Sequence, residues 1–248
     1  DALCTPARFE KKGVFWTAKG RRSLFGDGRL FRNSSPSGGT SATLMFLGDL
    51  ACFENQFEAA STGVSYDFRY ALELMKPIFG RSDFVAGNLE TPACPFAPYR
   101  SEKVVIEQNF YCNAPREYLH ALKWAGIDML TTANNHDMDT GAIGLGSTID
   151  SLETCGFIHT GTFKDDRRRY ELIEINGIRI GIAAFTSGHN NLNKNLTNEG
   201  RAALLSGYRY ETAKALYTEM KTAGAEVVFA CMHWGTENST ALSRNKLK

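Results

Sequence analysis

The sequence has no cysteine pair at metal-finger spacing: its six cysteines, at positions 4, 52, 94, 112, 155 and 231, include no CxxC. That argues against a closely spaced structural zinc site, and a 248-residue chain can bury a sizeable core without a disulfide scaffold. The cysteines therefore read as small buried hydrophobes, with Cys52 set apart by its place just after Gly48-Asp49. They do not decide the redox compartment. Charge of one sign is also lacking: 28 basic against 27 acidic residues leave a net charge of +1, which argues against wholesale nucleic-acid binding. No apolar run reaches the ~18 residues of a membrane helix, so no membrane segment is expected in this chain. Neither a Gly-x-Ser-x-Gly elbow nor a Gly-x-x-x-x-Gly-Lys phosphate loop occurs. Gly141-Ala142-Ile143-Gly144-Leu145-Gly146 has dinucleotide-like glycines but lies behind a polar loop instead of directly on a strand, and is discounted. The first residue is Asp1 and not methionine, from which a processed or trimmed product is expected.

What is present is a repeated pattern. Four short apolar runs end abruptly in metal-capable side chains: Thr43–Leu47 before Gly48-Asp49, Phe84–Ala86 before Gly87-Asn88-Leu89-Glu90, Met129–Ala133 before Asn134-Asn135-His136-Asp137, and Val227–Met232 before His233-Trp234-Gly235. Such runs read as buried parallel strands delivering ligands from their C-terminal edge. Between them lie helical patterns: 67–75 ending near Pro77, Pro115–Ala125 stopped by Gly126, the stripe Leu145/Ile149/Leu152 closed by Gly156, and 212–223 before Gly224. Strand–helix alternation predicts an α/β layered fold. One stretch breaks it: 170–175 and 178–182 flank Asn176-Gly177, the signature of a type I′ hairpin, so antiparallel pairing joins the parallel units.

Two regions are expected. Residues 1–40, rich in Lys, Arg, Ser and Gly, read as a basic N-terminal extension that packs on a neighbour, followed by a linker over 34–41; an arm for an anionic surface is the sharper alternative. Residues 41–248 form the main domain.

Each candidate carries two readings. Asp49 is a hard oxygen ligand or the cap of the following helix. Asn88 and Glu90, two apart in extended chain, point to one side and can face one ion, or else are a turn residue and a surface acid. Asn135 offers a neutral oxygen. His136 can give a proton to a leaving group, with Asp137 or Asp139 orienting its ring, and the alternative is a loop that caps the next helix. His233, with Glu237 following, is a ligand or a hydrogen-bonded structural histidine. His189 reads as a pocket wall, while His120 and His159 read as solvated and structural. The expected metal set is Asp49, Asn88, Glu90, Asn135 and His233, and the expected catalytic pair is His136 with Asp137.

These residues, with Ala125-Gly126-Ile127-Asp128, Ala133–Gly141, Gly156–Gly161 and His233–Glu237, resemble the CapA/PgsA family of bacterial capsule-synthesis proteins over about residues 43–240. The family is associated with poly-γ-glutamate and related to calcineurin-like metallophosphatases. The resemblance implies a metallophosphatase-like four-layer α/β/β/α sandwich with mixed sheets. It also implies a divalent metal (Mn, Mg, Zn or Fe) held by Asp49, Asn135 and His233, with Asn88 or Glu90 where metallophosphatases place a bridging Asp, and His136 as proton donor. Two departures stand out: Ala51 replaces the histidine usual two residues after the first Asp, and no late Gly-His-x-His segment precedes Lys248. The last part of the fold is therefore expected to be missing, and one ion is expected instead of two. The implied function is metal-dependent hydrolysis of phosphoester or γ-glutamyl bonds, acting on an anionic polymer or phosphoester. The alternative is a non-catalytic component that binds polymer or capsule-synthesis proteins, and the plainest reading is a generic α/β binding domain. A bacterial, extracytoplasmic or cell-envelope location is expected.

Overall fold

The computed structural model describes residues 41–99, 111–165 and 168–236, and the backbone alone of 8–12 and 15–19. Strand alternation determines the layers. In β3 (Leu44–Leu50), β4 (Phe84–Leu89), β5 (Met129–Thr131) and β6 (Ile158–Thr160), successive side chains face opposite sides of one parallel sheet of order β3-β4-β5-β6. Phe84, Ala86, Met129 and Ile158 turn one way; Val85, Leu89 and Leu130 turn the other. The second sheet, of order β1-β2-β7-β8-β9, is mixed: β1 (Arg8–Lys12), β2 (Phe15–Lys19), β7 (Glu171–Ile175), β8 (Ile178–Thr186) and β9 (Val227–His233). β2 pairs β7 and β8 pairs β9 in parallel, whereas β1–β2 and β7–β8 are antiparallel. Its Ile173, Ile175, Ile180 and Ile182 meet Phe84, Ala86, Met129 and Ile158 to form the inter-sheet core.

Helices cover the outer faces. α1 (Glu54–Ala60), the short turns α2 (Arg69–Leu72) and α3 (Lys76–Phe79), and α4 (Arg116–Ala125) close the first sheet, where Phe57, Leu119 and Leu122 pack on Val85, Leu89 and Leu130. α5 (Gly141–Thr154) joins them through Leu152 and, through Leu145 and Ile149, meets Leu205 just past α6 (Asn198–Leu204). α7 (Tyr210–Thr222) lays Leu216 and Met220 on Leu172, Ala183 and Phe185 of the second sheet. Helix, sheet, sheet, helix is the four-layer order expected.

Two expectations are refined. The pattern over 67–75 is helical only in α2, and a second short helix, α3, starts beyond it at Lys76. The Asp67 carboxylate accepts from the Arg69 backbone N–H at 3.0 Å and so starts α2, and Pro77 lies in the first turn of α3 instead of ending its predecessor. The N-terminal extension is not merely packed on a neighbour: its described residues add two strands to the second sheet. The linker over 34–40 and Glu237 lie outside the described residues. The hairpin has the expected turn, with Asn176 at φ 51° and Gly177 at φ 80°, and Gly126 ends α4 at φ 105°.

Candidate functional site

Asp49 reaches the site because β3 is irregular. Phe46 pairs with Ala86 but Asp49 pairs with Asn88, so the register shifts between them, at Leu47-Gly48. A bulge of this kind bends the strand and re-aims the next side chain, and glycine weakens the local ladder enough to admit it. On β4, Asn88 follows Phe84 and Ala86 on the face turned towards the second sheet, and Glu90 continues that face just past the strand. On β9, His233 follows Phe229 and Cys231 on the face turned towards the first sheet. After β5 the chain turns through Asn134–Asp139. This loop is clamped from β6 by Gly161, whose φ of 121° and position 2.4 Å from the Ala133 backbone nitrogen, measured from a would-be Cβ, leave room for glycine alone.

These elements bring the five expected ligands together. Asn88 Nδ2 donates to Asp49 Oδ1 at 2.6 Å and lies 3.2 Å from His233 Nδ1, which is 3.3 Å from Asp49 Oδ1. His233 Nε2 lies 2.7 Å from Asn135 Oδ1 and 3.4 Å from Glu90 Oε1. One donor atom each from Asp49, Glu90 and His233 falls within 4.8 Å of the others. Burial, followed by the negative charge of Asp49, pushes the Glu90 carboxyl above its ordinary range, while His233 and His136 pull it back. Two carboxylates, an imidazole and an amide oxygen drawn together at the cost of mutual repulsion form a donor set suited to a divalent cation. Asn88 has a different place from the one expected. It gives its nitrogen to Asp49, and its oxygen accepts from Asn134 Nδ2 at 3.1 Å and Thr131 Oγ1 at 3.3 Å. In this arrangement it braces Asp49, and it would offer an oxygen to an ion only with the amide reversed.

His136 sits beside this cluster. Its backbone N–H donates to Asn134 Oδ1 at 3.0 Å, and Asn134, fully buried, is held by the Leu89 carbonyl at 2.8 Å. The ring is oriented by Asp139, whose Oδ2 lies 2.7 Å from Nδ1. Burial works against the charged imidazole, but the Asp139 carboxylate and then the Cys112 thiol outweigh it and hold its pKa at about 10. Of the two carboxylates expected as candidates to orient His136, Asp137 does not do so. It turns the other way, and both its oxygens lie 2.9 Å from Nδ1 of His189. In the loop, residues three apart face one another while the nearer neighbour is directed to the opposite wall, so Asp139 takes the orienting place. Burial pushes the Asp137 carboxyl up to about 6 despite His189.

Sequence reading missed this His189 pair and the nearness of Cys112 to His136 and Asp139. The first had a signal, because His189 follows a strand end as His233 does. The second had none, since Cys112 lies in an irregular stretch far along the chain from its partners. Asn190, at φ 45°, also accepts from Asn135 Nδ2 at 3.3 Å, so the loop after β8 steadies the ligand loop at two points. Cys52 is fully buried, and that burial raises its thiol pKa to about 12, so it is packing and not a nucleophile. Beneath the ligands, a cavity of about 260 Å³ opens between β3 and β9, walled by Phe46, Ala86, Phe229 and Met232, with Asp49, Asn88 and His233 at its polar end.

Comparison with known proteins bears on the family and the fold. The family model described as "Bacterial capsule synthesis protein PGA_cap" matches residues 43–248. "Capsule biosynthesis protein CapA" of Bacillus anthracis is 26% identical over 200 residues, covering 79% of this chain and 47% of that protein. "PGA biosynthesis protein CapA" of Bacillus subtilis (strain 168) is 27% identical over 117 residues, covering 46% of this chain and 30% of that protein. The chain thus spans about half the length, or less, of these curated relatives. Among solved structures, the calcineurin-like phosphoesterase YfkN from Bacillus subtilis superposes with a TM-score of 0.50 at 15% identity, over 81% of this chain and 64% of that one, which establishes the fold. The chain belongs to the family of bacterial capsule synthesis proteins described by PGA_cap, built on a calcineurin-like phosphoesterase fold.

Proposed function

We propose that the strand-end cluster is the centre of a divalent-metal-dependent hydrolase acting on phosphoester or γ-glutamyl bonds of an anionic polymer in capsule synthesis. The observation that carries this reading is the convergence of Asp49, Glu90, Asn135 and His233, from four separate strand ends, on one another within hydrogen-bonding or ion-pair distance. These residues, with Asn88 as brace, would hold one cation. Such a cation, when bound, supplies Lewis-acid polarisation of the scissile phosphoryl or carbonyl oxygen. The rest is the work of the chain. Asp49 and Glu90 set the negative charge that the cation answers. Asn134 holds the loop backbone so that Asn135 and His136 keep their aim. With Nδ1 engaged by Asp139, His136 carries a transferable proton on Nε2, and its raised pKa keeps that proton in place at neutral pH until a leaving group takes it.

The test is turnover of a generic phosphodiester and of poly-γ-glutamate with Mn²⁺ or Mg²⁺ added to purified protein. Asn135→Ala and His136→Ala should abolish metal-stimulated turnover while leaving the protein folded; turnover unchanged by either substitution contradicts the proposal.

A second reading rests on Ala51, whose methyl offers no donor beside Asp49 and whose carbonyl accepts from Tyr118. On that reading the site binds polymer or a capsule-synthesis partner at the bacterial envelope without cleaving it. Metal-free protein that binds poly-γ-glutamate, together with absent turnover, supports it. Among the described residues no helix is long and apolar enough to cross a membrane.

A further inference from the structure

Beside the oxygen-rich cluster lies a second group of different chemistry. Cys112, His136 and Asp139 each offer one donor atom, and the three atoms lie within 4.8 Å of one another. Cys112 belongs to the segment entering α4, while His136 and Asp139 belong to the loop after β5. The Cys112 backbone N–H donates to Asp139 Oδ2 at 2.5 Å, which draws the thiol-bearing segment onto the loop. The same Oδ2 meets His136 Nδ1, but Oδ1 of this carboxylate is buried without any hydrogen-bond partner, and the Asp139 side chain is 0% exposed. A buried carboxylate oxygen left without a partner is costly and needs a reason, such as an absent ion.

We propose that Cys112, His136 and Asp139 form a binding site for a soft divalent cation of the zinc, cobalt and cadmium class. Sulfur, imidazole and carboxylate are the ligand types such ions take, at roughly 2.3, 2.0–2.1 and 2.0–2.2 Å. Tetrahedral ligands at those lengths are about 3.5 Å apart, so even at the 4.8 Å limit the trio is only about 1.3 Å wider than ligation spacing. The sulfur is what separates this site from its neighbour. Asp49, Glu90 and Asn135 present hard oxygens suited to Mg²⁺ or Mn²⁺, whereas a thiolate favours the softer ions. On binding, the thiol proton and one proton of the His136 imidazolium leave to solvent, and the Cys112–metal and His136–metal bonds replace the S–H and N–H bonds. No electron transfer is involved.

One consequence rests on the function proposed above. The site takes His136 and Asp139 out of proton transfer, so a soft ion bound there inhibits hydrolysis supported by Mn²⁺ at the oxygen-rich site. Soft-metal excess then acts as an off-switch built into the loop that carries both Asn135 and His136.

The experiment is Co²⁺ titration of the full chain under anaerobic, thiol-free conditions, with the thiolate-to-cobalt charge-transfer band in the near ultraviolet as readout and no substrate present. The expected result is a saturable band lost in Cys112→Ser and retained in Cys52→Ser, Cys231→Ser and His233→Ala. Asp139→Asn, which keeps the thiol, should weaken the apparent cobalt affinity at least tenfold, and it supplies the decision should Cys112→Ser fail to fold. Absence of the band in the wild-type chain overturns the proposal, as does its persistence in Cys112→Ser or unweakened binding in Asp139→Asn. A turnover arm separates the two readings. Zn²⁺ should inhibit Mn²⁺-supported turnover of the wild type and leave Cys112→Ser insensitive. A band together with uninhibited turnover upholds the site and contradicts His136 as the proton donor.

Discussion

Two carboxylate–imidazole pairs stand within one loop of each other, and they differ in what surrounds them. His136–Asp139 lies beside the oxygen-rich cluster, its ring pKa held up to about 10, next to Glu90 and Cys112. His189–Asp137 is buried, with side chains 7% and 1% exposed, and bridges the loop after β5 to the loop after β8. The chemistry is the same, yet the settings point to different work: proton transfer for the first pair, and fastening of two loops for the second. A carboxylate beside an imidazole is thus not a site by itself. Its neighbours decide what it does.

The comparison breaks most visibly at His136. His136→Ala should lower metal-stimulated turnover by roughly 10²–10⁴-fold, the usual worth of a general acid, and it also costs stability, because it strands the buried Asp139 carboxylate. His189→Ala should leave turnover largely intact. It strands a buried carboxylate, which typically costs about 3–5 kcal/mol of stability, to be read from the denaturant midpoint at pH 7. If instead His189→Ala spares stability and removes turnover, the assignment of the two pairs is exchanged. Asp139→Asn keeps shape but loses charge, and a drop in turnover of about 10–100-fold is expected.

A pH series sharpens the same contrast. Burial raises the Asp137 carboxyl to about 6, above an unfolded value of roughly 3.9. The folded chain therefore holds this proton more tightly than the unfolded chain does. The stability it contributes is present below about pH 4 and lost as pH rises through about 6. Asp137→Asn should flatten that part of the stability profile, and an unchanged slope between the two proteins would count against a raised Asp137. The smallest effect concerns Cys52. Its raised pKa and full burial predict negligible alkylation by iodoacetamide in the folded protein, with labelling appearing only on unfolding, as mass spectrometry of the Cys52 peptide would record.

Much of this was legible in the chain because it was written locally. Strand ends that switch from apolar to ligand-bearing residues, the Asn176-Gly177 turn and the glycine stop after α4 each depend on a few adjacent residues. Even the shared direction of Asn88 and Glu90 follows from the two-residue period of extended chain. The rest depended on contacts across long separations. The late start of the first short helix reflects Asp67 meeting Arg69, and its separation from α3 reflects Pro77 opening a new turn, where apolar spacing alone suggested continuity. That Asp139 and not Asp137 faces His136 is settled by where His189 stands, 52 residues further on. The bracing by Asn88 needed Asn134 and Thr131 in place before its amide could be oriented. Cys112 meets His136 through folding alone, so no spacing in the chain announces it.

The central claim is that scattered strand ends build a single cation site, and anomalous diffraction from crystals soaked in Mn²⁺ addresses it most directly. The account predicts a manganese peak about 2.0–2.5 Å from Asp49, Glu90, Asn135 and His233, lost in His233→Ala. A well-occupied peak elsewhere, with none among these four side chains, would contradict it.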